Sequence, residues 1–276
     1  MRFVLTSRIL RELPNGFCGC IVEGRRGIGK SAYCLKVMKE VYQELYKLTD
    51  DEAYTMSLEY TLYEIEDIVR VLKEARIKRK KIPVITWDDA GVHGSSLQWF
   101  INMSQVHELK AITDTIRTAV TGFLINCTDK GGLLAHLRNY DDYIVEIIKN
   151  FHGGGNIYKK EDGTESIYKS YERVARGYSL FKIPSGKRMV KKQFEDEYSC
   201  YIPDKHYSTY MKKRELYLDK SIKHMEEIQR EKISRHKYTK VDDQLKKIEL
   251  ELKADKFKKK GYDIEMPDEE QFNVES

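Results

Sequence analysis

Gly24-Arg25-Arg26-Gly27-Ile28-Gly29-Lys30-Ser31 stands between two stretches of opposite character. Before it, Phe17–Val22 is an apolar run too short for a helix, introduced by Asn15-Gly16, and reads as a buried strand. After it, Leu35, Met38, Val41, Tyr42 and Leu45 recur at three- and four-residue spacing and predict an amphipathic helix from about Lys30 to Tyr46. The eight residues match G-x-x-x-x-G-K-[ST] without departure, in the strand–loop–helix setting that motif requires. The glycines let the loop wrap closely enough for main-chain N–H groups to cradle phosphates, and the helix N-terminus adds its positive dipole end. All of Gly24, Arg25, Arg26, Gly27, Ile28, Gly29, Lys30 and Ser31 are therefore expected to bind ATP. Lys30 would reach the β- and γ-phosphates and the Ser31 hydroxyl would ligate Mg²⁺. A glycine-rich turn matching by accident is the bland alternative, and its placement counts against it.

Further along the chain, Ile82-Pro83-Val84-Ile85-Thr86-Trp87-Asp88-Asp89 is an apolar strand ending in two carboxylates, as expected of the metal-holding strand beside the phosphate loop. Asp88 would hold Mg²⁺ through water, and Asp89 would polarise the attacking water. Glu is the usual residue at the second position, and Asp is shorter by a methylene. A strand-end turn with a capping Asp is the alternative. Asp88-Asp89-Ala90-Gly91 also spells D-x-x-G and Asn126-Cys127-Thr128-Asp129 spells N-x-x-D, which raises a GTPase. That reading fails, because Cys127 stands where guanine recognition needs Lys and because one strand too few separates the two motifs. Asn126 falls instead at the tip of the strand Ala119–Asn126, where it would orient the hydrolytic water, with a plain turn-capping Asn as the alternative. Arg138, ending a short helix Leu133–Arg138, is placed to reach a neighbouring subunit's γ-phosphate, which implies a homo-oligomer; a solvated helix-end arginine is the commoner case and Arg117 competes for the role.

The remaining elements fill in an alternation of strand and helix. A strand near Tyr60–Tyr63, a helix with Ile65, Ile68, Val69 and Leu72 on one face, a helical pattern over Leu97–Ile116 and a strand Tyr143–Ile148 complete it. The pattern predicts an α/β P-loop NTPase: a parallel sheet of RecA/AAA type, sandwiched by helices over 1–150. After Asn150 the character changes to a polar, tyrosine-rich stretch, read as a β-rich appendage over 151–204. Its hairpin pairs Tyr178–Ile183 with Arg188–Phe194 around Pro184-Ser185-Gly186-Lys187. A charged helical extension over 205–262 and a disordered acidic tail over 263–276 follow.

Composition sets bounds rather than function. The chain has 276 residues, 49 basic and 44 acidic, with a net charge of +5, so mixed charge rather than one basic face is expected. The hairpin is the local exception: Lys182, Lys187, Arg188, Lys191 and Lys192 lie among Tyr178, Phe181 and Phe194, a combination suited to DNA backbone and bases. Acidic Glu195, Asp196 and Glu197 follow at once, and a solvated charge run is the alternative. Five cysteines without C-x-x-C spacing indicate neither a disulfide framework nor a zinc site. No long apolar run and a charged N-terminus predict a cytoplasmic protein without membrane contact.

At this level the chain resembles the predicted P-loop ATPases carried by the spindle-shaped viruses of Sulfolobus, the fuselloviruses. The resemblance rests on Gly24–Tyr42, on Ile82–Phe100 with its I-P-V-I-x-x-D-D-A-G, on Ile116–Asn126 and on Tyr201–Tyr217. In the last segment Ile202-Pro203-Asp204, Tyr207, Tyr210, Arg214 and Tyr217 lie outside any generic phosphate-loop core. The family's Asp-Asp pair agrees with Asp88 and Asp89; the chain departs at Asn126, where Thr is expected, and at Trp87, where Phe is expected. The resemblance implies a viral or plasmid ATPase acting on DNA, in replication as an initiator or helicase loader alongside other replication proteins. A DNA packaging or translocation motor is the second expectation, and a nucleotide-gated binding protein that hardly hydrolyses is the third.

Overall fold

A computed structural model of the chain describes residues 2–91, 94, 103–138, 143–149, 158–159, 165–166, 172–182, 188–223, 226 and 230. The first strand is β1 (Cys18–Glu23), and the helix that follows the glycine loop is α2 (Lys30–Tyr46), with the bounds its spacing predicts. Ahead of them lies α1 (Val4–Glu12), which the sequence reading did not anticipate. Then come α3 (Asp50–Glu59), β2 (Thr61–Leu62), α4 (Ile65–Lys78), β3 (Ile82–Trp87), α5 (Met103–Ile116) and β4 (Val120–Asn126). A 3-10 turn Lys130–Gly132 and α6 (Ala135–Arg138) lead to β5 (Tyr143–Lys149). Two short strands, β6 (Tyr158–Lys159) and β7 (Glu165–Ser166), pair with each other before the long hairpin β8 (Glu172–Lys182) and β9 (Arg188–Ser199). Among the described residues, a further helix, α7, runs over 204–223.

Among the described residues the main sheet has seven strands in the order β2-β3-β4-β1-β5-β8-β9. Its first five are parallel, and β8 and β9 add to the edge in antiparallel fashion. Every residue of β3 and β4 is buried, as strands covered on both faces require. In β5 burial becomes intermittent where the sheet passes from its parallel to its antiparallel part.

The position of β4 matters most. It lies between β1, which delivers the glycine loop, and β3, which delivers the two carboxylates. Its register sets Val22 beside Asn126 and Trp87 beside Ile125, so all three strand ends finish level at one edge of the sheet.

Two expectations change here. The hairpin expected as an appendage is present but longer, and it is no appendage: β8 pairs with β5 from Ile144↔Tyr178 to Lys149↔Arg173 and prolongs the main sheet. The break expected after Asn150 is accordingly not where the chain divides. One compact unit spans Met1–Arg214 and the other Glu215–Ser276. The hairpin turn 183–187 with Lys187, the tail 263–276 and the extension beyond 230 lie outside the described residues.

The added strands also explain α1. Its first turn leaves the N–H groups of Val4 and Leu5 without helical partners, and the Asp196 carboxylate on β9 accepts from both, at 2.7 and 3.4 Å. The same carboxylate accepts from Tyr33 Oη at 2.7 Å. Asp196, which charge patterning places in a solvated acidic run, is thus buried, and it fastens α1 and α2 to the sheet edge. Leu5 and Ile9 on α1 are wholly buried.

Candidate nucleotide site

The glycine loop begins from the end of β1, and three of its residues hold backbone conformations that side chains rarely adopt: Gly24 at φ 149, Gly27 at φ 70 and Gly29 at φ 105. At Gly27 the space a Cβ would take is open, whereas at Gly29 a Cβ would run into Cys200 Sγ. The loop is therefore free on one side and packed on the other. Packing is supplied from far along the chain. Arg173 on β8 donates through Nε to the Ile28 carbonyl at 2.6 Å, and Tyr198 on β9 donates its hydroxyl to the Gly29 carbonyl at 2.9 Å. In a trans peptide the C=O of one residue and the N–H of the next point in opposite directions. With the Ile28 and Gly29 carbonyls held by Arg173 and Tyr198, the N–H groups of Gly29 and Lys30 point away from those two side chains.

Lys30 opens α2, and its ammonium folds back onto the carbonyls of Gly24 and Arg25 at 2.9 and 3.1 Å. Burial lowers its pKa, and the nearby charges of Asp89 and Asp88 work against that shift. Ser31, one residue on, donates to Asp88 Oδ1 at 3.0 Å across the gap between α2 and β3. Asn126, at the tip of β4, donates through Nδ2 to the same carboxylate oxygen and to Ser31 Oγ, the latter at 3.0 Å. The other oxygen of Asp88 accepts from Tyr210 Oη on α7 at 2.8 Å. Asp88 is 1% exposed, and its pKa is raised by burial first and by the neighbouring Asp89 second.

Asp89 points elsewhere. It sits at φ 51, in a turn held by a hydrogen bond from Ala90 N to Asn126 O at 2.9 Å, so its side chain departs from the direction Asp88 takes. It accepts from Arg214 on α7 at 2.8 Å. The two side chains of that ion pair are 48% and 44% exposed, and a pair so open to water is worth about 1 kcal/mol or less.

These parts surround one cleft of about 1040 Å³, whose lining includes Lys30, Ser31, Asp89, Asn126, Arg173 and Arg214. Of the expected phosphate-loop residues, Arg26, Gly27 and Gly29 line it as well. Arg138 does not line it and is exposed at the end of α6. Lys191 and Lys192 are exposed on the hairpin, the latter bridged to Glu195 at 3.1 Å; of the side chains of Lys182 and Arg188 nothing is described.

Two residues that act on this site, Arg173 and Tyr198, escaped the sequence reading. Tyr210 and Arg214 were noted only as part of a resembling segment. Tyr210 and Arg214 stand four apart, which on a helix places them on one face, and that spacing was the available signal. For Arg173 and Tyr198 there was none, since their partners lie 145 and 169 residues away.

The glycine loop, the Lys30 ammonium, and the Ser31 hydroxyl facing the buried Asp88 carboxylate thus meet at one edge of the sheet. A chain with this loop between β1 and α2, and with one strand inserted before the carboxylate-bearing β3, has the fold of a P-loop NTPase, in the division marked by that additional strand. No family model matches it. It is 28% identical over 225 residues to the uncharacterized protein B-251 of Sulfolobus spindle-shape virus 1, covering 81% of this chain and 84% of that one. Among solved structures it is similar to B204, the DNA-packaging ATPase of Sulfolobus turreted icosahedral virus, with 12% identity over 65% of this chain and 99% of that one at a TM-score of 0.36. It is also similar to the flagellar accessory protein FlaH of Methanocaldococcus jannaschii, with 15% identity over 69% and 96% at a TM-score of 0.33. Among the described residues no helix is long and apolar enough to cross a membrane.

Proposed function

We propose that the chain is a magnesium-dependent ATPase that works on the DNA of an archaeal virus or plasmid. The observation that carries this is the 3.0 Å contact of Ser31 Oγ with Asp88 Oδ1, beside Lys30, at the level where three strands end. The donor set fits a hard cation bound to phosphate: a hydroxyl, a carboxylate and the buried Asn126 Oδ1, which has no partner among the described residues. Ser31 and Asp88 would hold that cation, which supplies neutralising charge to the phosphate oxygens. The N–H groups of Gly29 and Lys30 grip the triphosphate, and the Lys30 ammonium leaves its two carbonyls for phosphate oxygens. Asp89 takes the proton of a water whose oxygen attacks the γ-phosphorus, the bond to the bridging oxygen breaks, and ADP departs with inorganic phosphate. Asn126 steadies that water. Arg138, exposed and outside its own cleft, is assigned to a neighbouring copy's γ-phosphate in a homo-oligomer. The hairpin, with Lys191 and Lys192 in the open, is assigned to DNA.

Hydrolysis measured with and without single- and double-stranded DNA, on wild type, Lys30→Ala and Asp89→Asn, tests the whole. If wild type turns over no faster than Asp89→Asn, the enzyme gives way to a nucleotide-gated binding protein. Two uses of the energy remain to be separated. B204 is described as a packaging ATPase, so DNA translocation is tried first, by asking whether the rate grows with duplex length. Stimulation by single strands without any length dependence would favour replication, in the manner of an initiator or helicase loader. Arg138→Ala mixed with Asp89→Asn recovers activity only if the arginine acts on a neighbour.

A further inference from the structure

Tyr210 and Arg214 leave one face of α7 and end on the paired carboxylates, Tyr210 on Asp88 and Arg214 on Asp89, each at 2.8 Å. The two contacts differ in kind. Tyr210 and Asp88 are 5% and 1% exposed, so the hydroxyl–carboxylate bond is a fixed point. The Arg214–Asp89 pair is about half open to water, so its ends exchange readily.

Arg214 also lines the same cleft as Gly27, Lys30 and Asn126. A guanidinium is a fork of five donors suited to a phosphate, and the carboxylate engages only part of it. A terminal phosphate entering the cleft brings more negative charge than Asp89 does, and it enters where the arginine already stands. Arg214 is anchored within reach, because Tyr210 fixes the preceding turn of α7 to Asp88, the residue that also contacts Ser31.

We propose that Arg214 is a partner-switching residue of this chain's own site: it exchanges Asp89 for the terminal phosphate of a bound nucleoside triphosphate. One movement then does two things. The arginine reads the presence of a third phosphate, and Asp89, relieved of its cation, is free to take the proton of water. This rests on the nucleotide reading above and assigns the triphosphate sensor to a residue in cis, independent of any role of Arg138.

The test is equilibrium binding by calorimetry, on the full chain, of magnesium with the β,γ-methylene analogue of ATP and of magnesium with ADP. Arg214→Ala is expected to weaken the triphosphate analogue roughly tenfold, the size of one charge-assisted hydrogen bond, and to leave ADP unchanged. Arg214→Lys should fall between. Asp89→Asn removes the competing partner, so the analogue should bind several-fold more tightly, and that gain should vanish in the Arg214→Ala/Asp89→Asn double variant. Equal weakening of both nucleotides by Arg214→Ala would reduce the arginine to a brace for α7 and overturn the proposal. So would an unchanged preference for triphosphate, including the case in which hydrolysis rises because a static brake on Asp89 was removed. Lys30→Ala should lose both nucleotides. A wild type that binds neither sinks the reading of the site itself, and the exchange with it.

Discussion

The cleft has two walls that were assembled in different ways. On one side the glycine loop, Lys30 and Ser31 come from eight consecutive residues and act mainly through the main chain. On the other side Arg173, Tyr210 and Arg214 arrive from β8 and α7, with Tyr198 behind them on the glycine loop, and all four act only through side chains. In the proposed function the first wall grips phosphate. The second contacts the carbonyls of the first and the carboxylates of Asp88 and Asp89. Local sequence can encode a shape, but the direction in which that shape faces is set by contacts made across most of the chain.

This division of labour can be broken most sharply at Lys30. Lys30→Ala should cut affinity for magnesium-ATP by roughly a hundredfold or more, given about 1.5–3 kcal/mol for each charge-assisted bond it makes, while the melting temperature stays near wild type. A small loss would mean that the amide cradle holds nucleotide alone. Next is Asp196, on the supporting side. Asp196→Ala strands Val4 N, Leu5 N and Tyr33 Oη, and should cost roughly 2–4 kcal/mol in denaturant unfolding. If stability holds, α1 and α2 are fastened by packing alone.

Arg173→Ala tests the link between the walls directly. It removes the nitrogen donor from the Ile28 carbonyl, and should cost about 1–3 kcal/mol in stability together with a several-fold loss of nucleotide affinity. Lost stability with unchanged affinity would show that the loop faces inward without its brace. The smallest effect is expected at Lys192, whose ion pair with Glu195 is exposed on both sides. Lys192→Ala should move stability by no more than about 0.5 kcal/mol. Any larger change would give the hairpin surface a part in the fold that its exposure does not suggest.

The same contrast explains what was legible in the sequence. α2 and β3 were readable to the residue, because a motif and an unbroken apolar period bound them on both sides. The carboxylate strand was expected beside the phosphate loop, whereas β4 lies between β1 and β3; Asn126 stands at the tip of β4, where it was expected. α3 was missed although Thr49 and Glu52 form a capping box, a signal written in the sequence as T-x-x-E. α1 was missed because a charged N-terminus was weighed only as an export signal, while Leu5 and Ile9 stand one turn apart. The hairpin was found, but a pairing between β5 and β8 that joins it to the main sheet has no local mark. Nor do Arg173 and Tyr198, whose partners lie 145 and 169 residues away.

That joined hairpin has a mechanical meaning. An eleven-residue strand is about 36 Å of stiff, hydrogen-bonded ribbon. Exposed Met189 and Val190 sit near one end of the ribbon, and Arg173 and Tyr198 sit at the other, grasping two carbonyls of the glycine loop. A load applied at the outer end would travel along a beam rooted at the glycine loop, and would be felt first by Ile28 and Gly29.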